Sequence, residues 1–441
     1  MDSSTRNQAL SRGELTTPGL FPHLEELARA PFVFRMEFGL DPLPEESGLI
    51  LVRGARQYGK STWLEQQVRE TVQQAGPGSA YLLNGDEVAD AGALAEAIRA
   101  VRPLFSPRAR VRRLFIDEIT AVRDWQRALK RLLDAGELRD VLVITTGSQA
   151  ADLRRGAERL PGRKGRLSRT SFLFVPVSFA EYSRVCGAHL GSDLLPAYLL
   201  SGGSPVAGAE LAAGGRLPEF VIEMTRDWVY GEFAAAGRQR SSLLGVMECL
   251  HRFAGAPSGQ ARLAREAGLA NNTVAAGYLE QLMDLLCVAT AFPWDESRRR
   301  ANRRRPAKLH FVNLLVAVAW HPARIRSVQE YRALPEQDQA RLLEWLVAQE
   351  IWRCAAVRGE ETPEVMHFWQ GREHELDFVL PPDRFVEVKR GKASPVEFAW
   401  WPRSFPKGQL TVVNAAPFQA ERMVGMTMEE FLAADWERRV G

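Results

Sequence analysis

At 441 residues, with 46% apolar and 25% charged side chains, the chain has room for about two to four domains and enough apolar mass to build their cores. A net charge of only +3, from 57 basic and 54 acidic residues, excludes a global polyanion-binding surface, so any nucleic-acid contact must be local. No stretch approaches the roughly 18 apolar residues of a membrane span, and neither the four dispersed cysteines nor the seven scattered histidines suggest a disulfide framework or zinc site; a cytoplasmic protein is expected.

In chain order, residues 1–20 are polar and read as a loose tail, followed by a short helix candidate from His23 to Ala30 and the breaker-rich Asp41-Pro42-Leu43-Pro44-Glu45. Residues 1–45 are thus expected to be a lead-in to the first domain. From residue 48 to about 185, apolar runs alternate with helical stretches: Leu49–Val52, Ala80–Leu83, Leu114–Ile116, Val141–Thr145 and Phe172–Val175. Such alternation predicts an α/β fold with a parallel sheet and helices on both faces. Ligands of such sheets sit beyond the carboxyl ends of the strands.

Gly54-Ala55-Arg56-Gln57-Tyr58-Gly59-Lys60-Ser61-Thr62 fits G-x-x-x-x-G-K-[ST] and stands between the first strand candidate and a helix. Glycines at 54 and 59 permit close backbone approach, and the loop's N–H groups with the helix N-terminus would face a phosphate. In this reading Gly54, Gln57, Tyr58, Gly59, Lys60, Ser61 and Thr62 line a nucleotide site. Lys60 reaches the β- and γ-phosphates and the Ser61 hydroxyl holds Mg²⁺. The run Leu114-Phe115-Ile116-Asp117-Glu118 ends in two acids, as a Walker B element does. Asp117 would hold Mg²⁺ and Glu118 would polarise the attacking water. Ser148 is a candidate γ-phosphate sensor or a plain turn residue. Arg163 is an arginine-finger candidate or part of a solvated basic loop.

Residues 242–313 read as a winged helix, with helices over Leu243–Phe253 and Gln260–Glu266 and from Asn272, then strands at Cys287–Phe292 and Lys308–Val312. Between the strands lie Arg298-Arg299-Arg300-Ala301-Asn302-Arg303-Arg304-Arg305, six arginines in eight residues, suited to phosphate contact at a wing tip or to plain solvation. Beyond residue 326, a helix from Gln339 carries Glu350 on its apolar stripe. Strand candidates follow at 365–369, 374–380 and 385–389. Period-two alternation puts Glu375 and Asp377 on one face of their strand, and Glu387 and Lys389 likewise share a face of theirs. Asp377, Glu387 and Lys389, with Glu350 above them, could converge on a divalent metal that activates water against a phosphodiester. The competing reading is a half-exposed sheet of salt-bridged charges.

The chain resembles bacterial and archaeal AAA-type ATPases in which a P-loop domain is joined to a winged helix and a C-terminal PD-(D/E)xK nuclease-like domain. Gly54–Thr62, Leu114–Glu118 with Trp125, Thr146-Gly147-Ser148, Leu160-Pro161-Gly162-Arg163, Pro176–Glu181 and Gly202-Gly203-Ser204-Pro205 carry the resemblance in the first part. Phe368-Trp369, Glu375–Val379 and Glu387-Val388-Lys389 carry it in the second. The chain departs from that pattern at Asn313-Leu314, where an aspartate and a glycine are usual, and at Lys60-Ser61, where Lys-Thr is commoner. The resemblance implies ATP hydrolysis with Mg²⁺ by Lys60, Ser61, Asp117 and Glu118, and nuclease positions at Asp377, Glu387 and Lys389. It sets expected domains of 46–240 (AAA-type ATPase with helical extension), 241–325 (winged helix) and 326–441 (small α/β restriction-nuclease-like domain). An ATPase acting on nucleic acid, DNA before RNA, is the expectation. Its competitor is a nucleotide-dependent scaffold with a silent nuclease-like domain that binds a protein partner. Homo-oligomers are compatible with either.

Overall fold

Strand β1, Gly48–Gly54, is buried along its whole length, and this is why its sequence shows no alternation of polar and apolar residues. In the computed structural model, which describes residues 1–147, 153, 156, 165–360, 365–381 and 383–434, it belongs to a five-stranded sheet of order β2-β3-β4-β1-β5. The other strands are β2 Ala80–Asn84, β3 Arg113–Asp117, β4 Leu142–Gly147 and β5 Ser171–Phe174, each within one or two residues of the sequence expectation. Every neighbouring pair is parallel. The chain divides into two compact units, Met1–Val175 and Pro176–Gly441, and this sheet is the centre of the first.

The tail expected to be loose is folded. Helix α1, Ser3–Arg12, is capped by the Asp2 carboxylate on the Thr5 N–H and closed by Gly13 in the left-handed region. Its buried Asn7 pairs with the main chain of the sheet's edge strand β2: Nδ2 donates to Leu82 O at 2.9 Å, and Leu82 N donates to Oδ1 at 2.9 Å. One amide side chain thus does what a neighbouring strand would do and blunts the free edge. Helix α2, Pro22–Leu27, is held by Glu65 of the helix α3, Lys60–Ala75. The buried carboxylate accepts from the main chain at His23 (3.0 Å) and Leu24 (3.2 Å), and contacts the His23 ring at 2.9 Å. Sequence periodicity held no sign of either anchor, because each joins segments far apart in the chain.

In the second unit, helices Arg240–Arg252, Gln260–Glu266 and Asn272–Asp284 precede strands β6 Val288–Asp295, β7 Arg300–Ala301 and β8 Lys308–Phe311. Strands β9 His367–Gln370, β10 Glu375–Leu380, β11 Arg384–Val388, β12 Gln409–Val413, β13 Phe418–Ala420 and β14 Met423–Met426 complete a nine-stranded mixed sheet. Phe292 and Pro293 of β6 pair in parallel with His367 and Phe368 of β9. One sheet therefore runs through the regions expected on either side of residue 325. A core of Leu376, Val379, Phe385, Phe398, Trp401, Phe405, Leu410 and Val412 lies along it. The helix Glu336–Arg358 packs against β8 and β11. Among the described residues, no helix is long and apolar enough to cross a membrane.

Candidate functional site

Beyond Gly54 the chain leaves β1 and turns into α3 through Gly59, whose φ of 96° lies in the left-handed region that glycine enters without strain. Gln57 shares that region at φ 60°. No side chain caps the N-terminus of α3, and the Trp63 N–H donates to Gly59 O at 2.9 Å to close its first turn. Lys60 is buried, and its ammonium donates to Gly54 O at 3.0 Å and Ala55 O at 2.7 Å. Tyr58 is buried, whereas Ser61 and Thr62 are half-buried on the first turn.

Asp117 ends β3 at the same edge of the sheet. Between β3 and β1 lies β4, whose Thr146 is in register with Val52. The Thr146 hydroxyl donates to Asp117 Oδ1, and the Glu118 N–H points at both Asp117 Oδ1 (3.1 Å) and Thr146 Oγ1 (3.3 Å). Glu118 adopts φ 45°, unusual for a residue with a side chain. The turn after β2 presses on it: a Cβ added to Gly85 would lie 2.2 Å from Glu118 O. The Thr146 contact went unrecognised in the sequence. The polar Thr145-Thr146 pair ending an otherwise apolar run was its signal. Ser148 and Arg163 lie outside the described residues.

The second charged cluster lies on the sheet of the second unit. Adjacent antiparallel strands β10 and β11 bring Asp377 and Glu387 together as alternation anticipated. Asp377 Oδ2 accepts from Val388 N at 2.9 Å, Glu387 Oε2 accepts from Asp377 N at 3.2 Å, and Glu387 Oε1 accepts from Lys389 Nζ at 2.6 Å. Glu350 is not part of this group. It is buried in a bidentate pair with Arg353, both contacts at 2.8 Å, and the Cys354 thiol donates to it at 3.3 Å. A carboxylate on the apolar stripe did need a partner, and an arginine one turn on supplies it. The carboxyl that faces Asp377 from this helix is Glu344. Burial, reinforced by the Asp377 charge, pushes its pKa up to about 8, and burial with Asp377 pushes Glu387 up to about 7.

Strand β8 completes the cluster. Lys308 is 1% exposed; its ammonium contacts Glu375 Oε1 and lies 3.7 Å from Asp377 Oδ1. Burial pulls Lys308 down, and Glu344, Asp377 and Glu375 more than reverse this, so its pKa is raised. Fully buried His310, two residues on, is pushed down to about 3 by burial and by Lys308; its Nδ1 lies 3.7 Å from Glu344. Lys308-Leu309-His310 is a polar-apolar-polar strand pattern, and its polar residues face inward. Among the described residues, no three of His, Cys, Asp or Glu are disposed to hold a metal ion together.

The arginine-rich connection forms an exposed hairpin tip. Arg298 pairs with Asp295 and Arg299 with Asp383, while Arg300, Arg304 and Arg305 have no ion-pair partner among the described residues.

Residues 46–183 match the family model described as AAA domain. No curated protein matches the chain. Among solved structures, the chain is similar to the Walker-type ATPase PABY2304 of Pyrococcus abyssi, at 15% identity over 68% of this chain and 93% of that one, with a TM-score of 0.41. It is also similar to an RuvB variant of Thermotoga maritima (14% identity, 55% and 81% covered, TM-score 0.31). A third is the Aeropyrum pernix ORC1 protein in complex with DNA (15%, 69% and 92%, TM-score 0.30). Likeness at this level says nothing about chemistry. The motif, the five-stranded parallel sheet and the family match coincide on one segment, and residues 46–183 are an AAA-type P-loop domain.

Proposed function

We propose that this protein binds ATP with Mg²⁺ at the P-loop, hydrolyses it, and couples turnover to contact with DNA. One observation supports this above the rest: the glycine loop with Lys60 and the acids Asp117 and Glu118 stand at one edge of one sheet, with Thr146 fastening Asp117 between them. The residues fit the nucleotide and its ion. Lys60 and the N–H groups opening α3 would bind phosphate oxygens; Ser61 and Asp117 would hold the metal. The ion would neutralise charge developing on the β- and γ-phosphate oxygens. Glu118 accepts the proton of the attacking water, with its main chain fixed by Gly85 and Thr146. DNA is favoured over RNA because a helix-turn-helix with an arginine hairpin suits the grooves and backbone of B-form duplex. The second unit enters this reading as a binding module and not as a nuclease.

Glu118→Gln should retain affinity for a fluorescent ATP analogue and lose about 10²–10⁴ in turnover. Turnover at the wild-type rate would remove Glu118 from this role. Changing Arg300, Arg304 and Arg305 together to Ala should lower the slope of log affinity against log salt by about 0.9 for each phosphate that is no longer neutralised. A fluorescence-anisotropy titration that returns the wild-type slope would reduce the hairpin to solvated surface.

A further inference from the structure

We propose that the Lys308 ammonium is the resident cation of the Glu344, Glu375, Asp377 and Glu387 cluster, and that this cluster neither binds a divalent metal nor cleaves phosphodiesters by a metal-dependent route. The inference is independent of the nucleotide-site reading, since all its residues lie in the second unit.

A divalent ion at this sheet would need carboxylate oxygens with lone pairs to give, since Mg²⁺ takes oxygen ligands at about 2.0–2.1 Å in near-octahedral geometry. Three of the four oxygens of the two central carboxylates each spend one of their two lone pairs on a hydrogen bond, and the fourth faces the Lys308 ammonium. Asp377 Oδ2 takes the Val388 N–H and Oδ1 faces Lys308; Glu387 Oε2 takes the Asp377 N–H and Oε1 takes Lys389. The Lys308 ammonium also touches Glu375 and lies 5.2 Å from the centre of the Phe368 ring, so apolar and acidic groups surround it together. Its strand is pinned to β6, with Lys308 opposite Ala291, and the side chain is 1% exposed, so it cannot swing to solvent without opening the sheet.

A cluster of carboxyls placed beneath a helix demands a compensating charge. In a metal-dependent nuclease the ion supplies it. Here a lysine does so permanently, and a second cation placed among the same oxygens would meet its repulsion. Lys389, at the position the D…E-x-K pattern reserves for orienting water, is instead tied to Glu387 and completes the neutralisation.

The test uses the full chain without nucleotide and Mn²⁺ alone as probe, followed by electron paramagnetic resonance, so that an error in the ATP reading cannot disturb it. Wild type and Asp377→Asn should bind equal amounts of Mn²⁺. Lys308→Gln should gain one site, at least tenfold tighter than any in wild type, that disappears again in Lys308→Gln/Asp377→Asn. A wild-type Mn²⁺ site lost on Asp377→Asn would overturn the proposal, as would a folded Lys308→Gln that gains none. Should Lys308→Gln fail to fold, the wild-type and Asp377→Asn comparison decides alone. Incubation with plasmid and Mg²⁺ or Mn²⁺ gives a second readout. No Asp377-dependent cleavage is expected, and any would overturn the proposal.

Discussion

Lys60 and Lys308 are both nearly enclosed ammonium groups, yet the two regions use them in opposite ways. Lys60 donates to main-chain carbonyls of its own loop, neutral acceptors that can be exchanged for the charged oxygens of a phosphate, to which an ammonium bonds more strongly. Lys308 is held by carboxylates fixed on paired strands, and no arriving ligand offers it better partners. The acids differ in the same sense. Asp117 is fastened at the mouth of a sheet, where ligands of parallel α/β folds bind, whereas Asp377 is sealed between a lysine and a main-chain N–H. A lysine near acids is therefore not a functional signature until its other acceptors and its exposure are known.

The largest expected effect breaks the comparison on the Lys308 side. Lys308→Met should cost about 3–5 kcal/mol in urea unfolding, because it leaves buried carboxylates without their cation. Added Mn²⁺ should restore part of that loss in the variant and none in wild type. A loss below about 1 kcal/mol would mean that the cluster relaxes without Lys308 and that its charge is not what holds the acids.

Thr146→Val sharpens the other side. Removing the hydroxyl from Asp117 and from the Glu118 N–H should cost about 1.5–3 kcal/mol of positioning, seen as a tenfold to hundredfold fall in ATP turnover with nucleotide affinity little changed. Unaltered turnover would show that Thr146 only fills space.

The effect that is smallest per step is a pH dependence. In the folded chain Glu344, facing His310 and Lys308 on β8, Glu375 and Asp377 on β10 and Glu387 on β11, keeps its proton up to a pH of about 8. An unfolded glutamate loses it near pH 4.3. Between those values the folded state holds the extra proton, so stability falls as pH rises, by at most about 1.4 kcal/mol per pH unit for this group. Thermal melts from pH 5 to 9 should show that decline, and Glu344→Gln should make it shallower, most clearly between pH 7 and 8, above the value of about 7 to which Glu387 is raised. An unchanged slope in the variant would place the titration on another group.

Much of the molecule was legible in the sequence where the physics is local. The five strands of the first sheet are short apolar runs between helices, and the P-loop is a fixed spacing of glycines and a lysine; neither needs a distant partner to be recognised. Asp377 and Glu387 were paired correctly because strand alternation has a rigid period of two. On the long helix, periodicity placed Glu350 on the buried stripe, and it is buried. Whether a buried glutamate faces an arginine one turn away or a carboxylate across the sheet depends on neighbours that periodicity does not contain.

The order of residues was enough to specify the phosphate loop, the acids ending β3 and the parallel sheet beneath them, because backbone conformation and hydrophobic period are set within a few residues. It took the folded chain to reveal that Asn7 closes a sheet edge, that Thr146 holds Asp117, and that Lys308 meets Glu375 across 67 positions of chain. Those outcomes depend on desolvation and charge compensation between distant segments, and a buried charge finds its partner in space, wherever that partner lies in sequence.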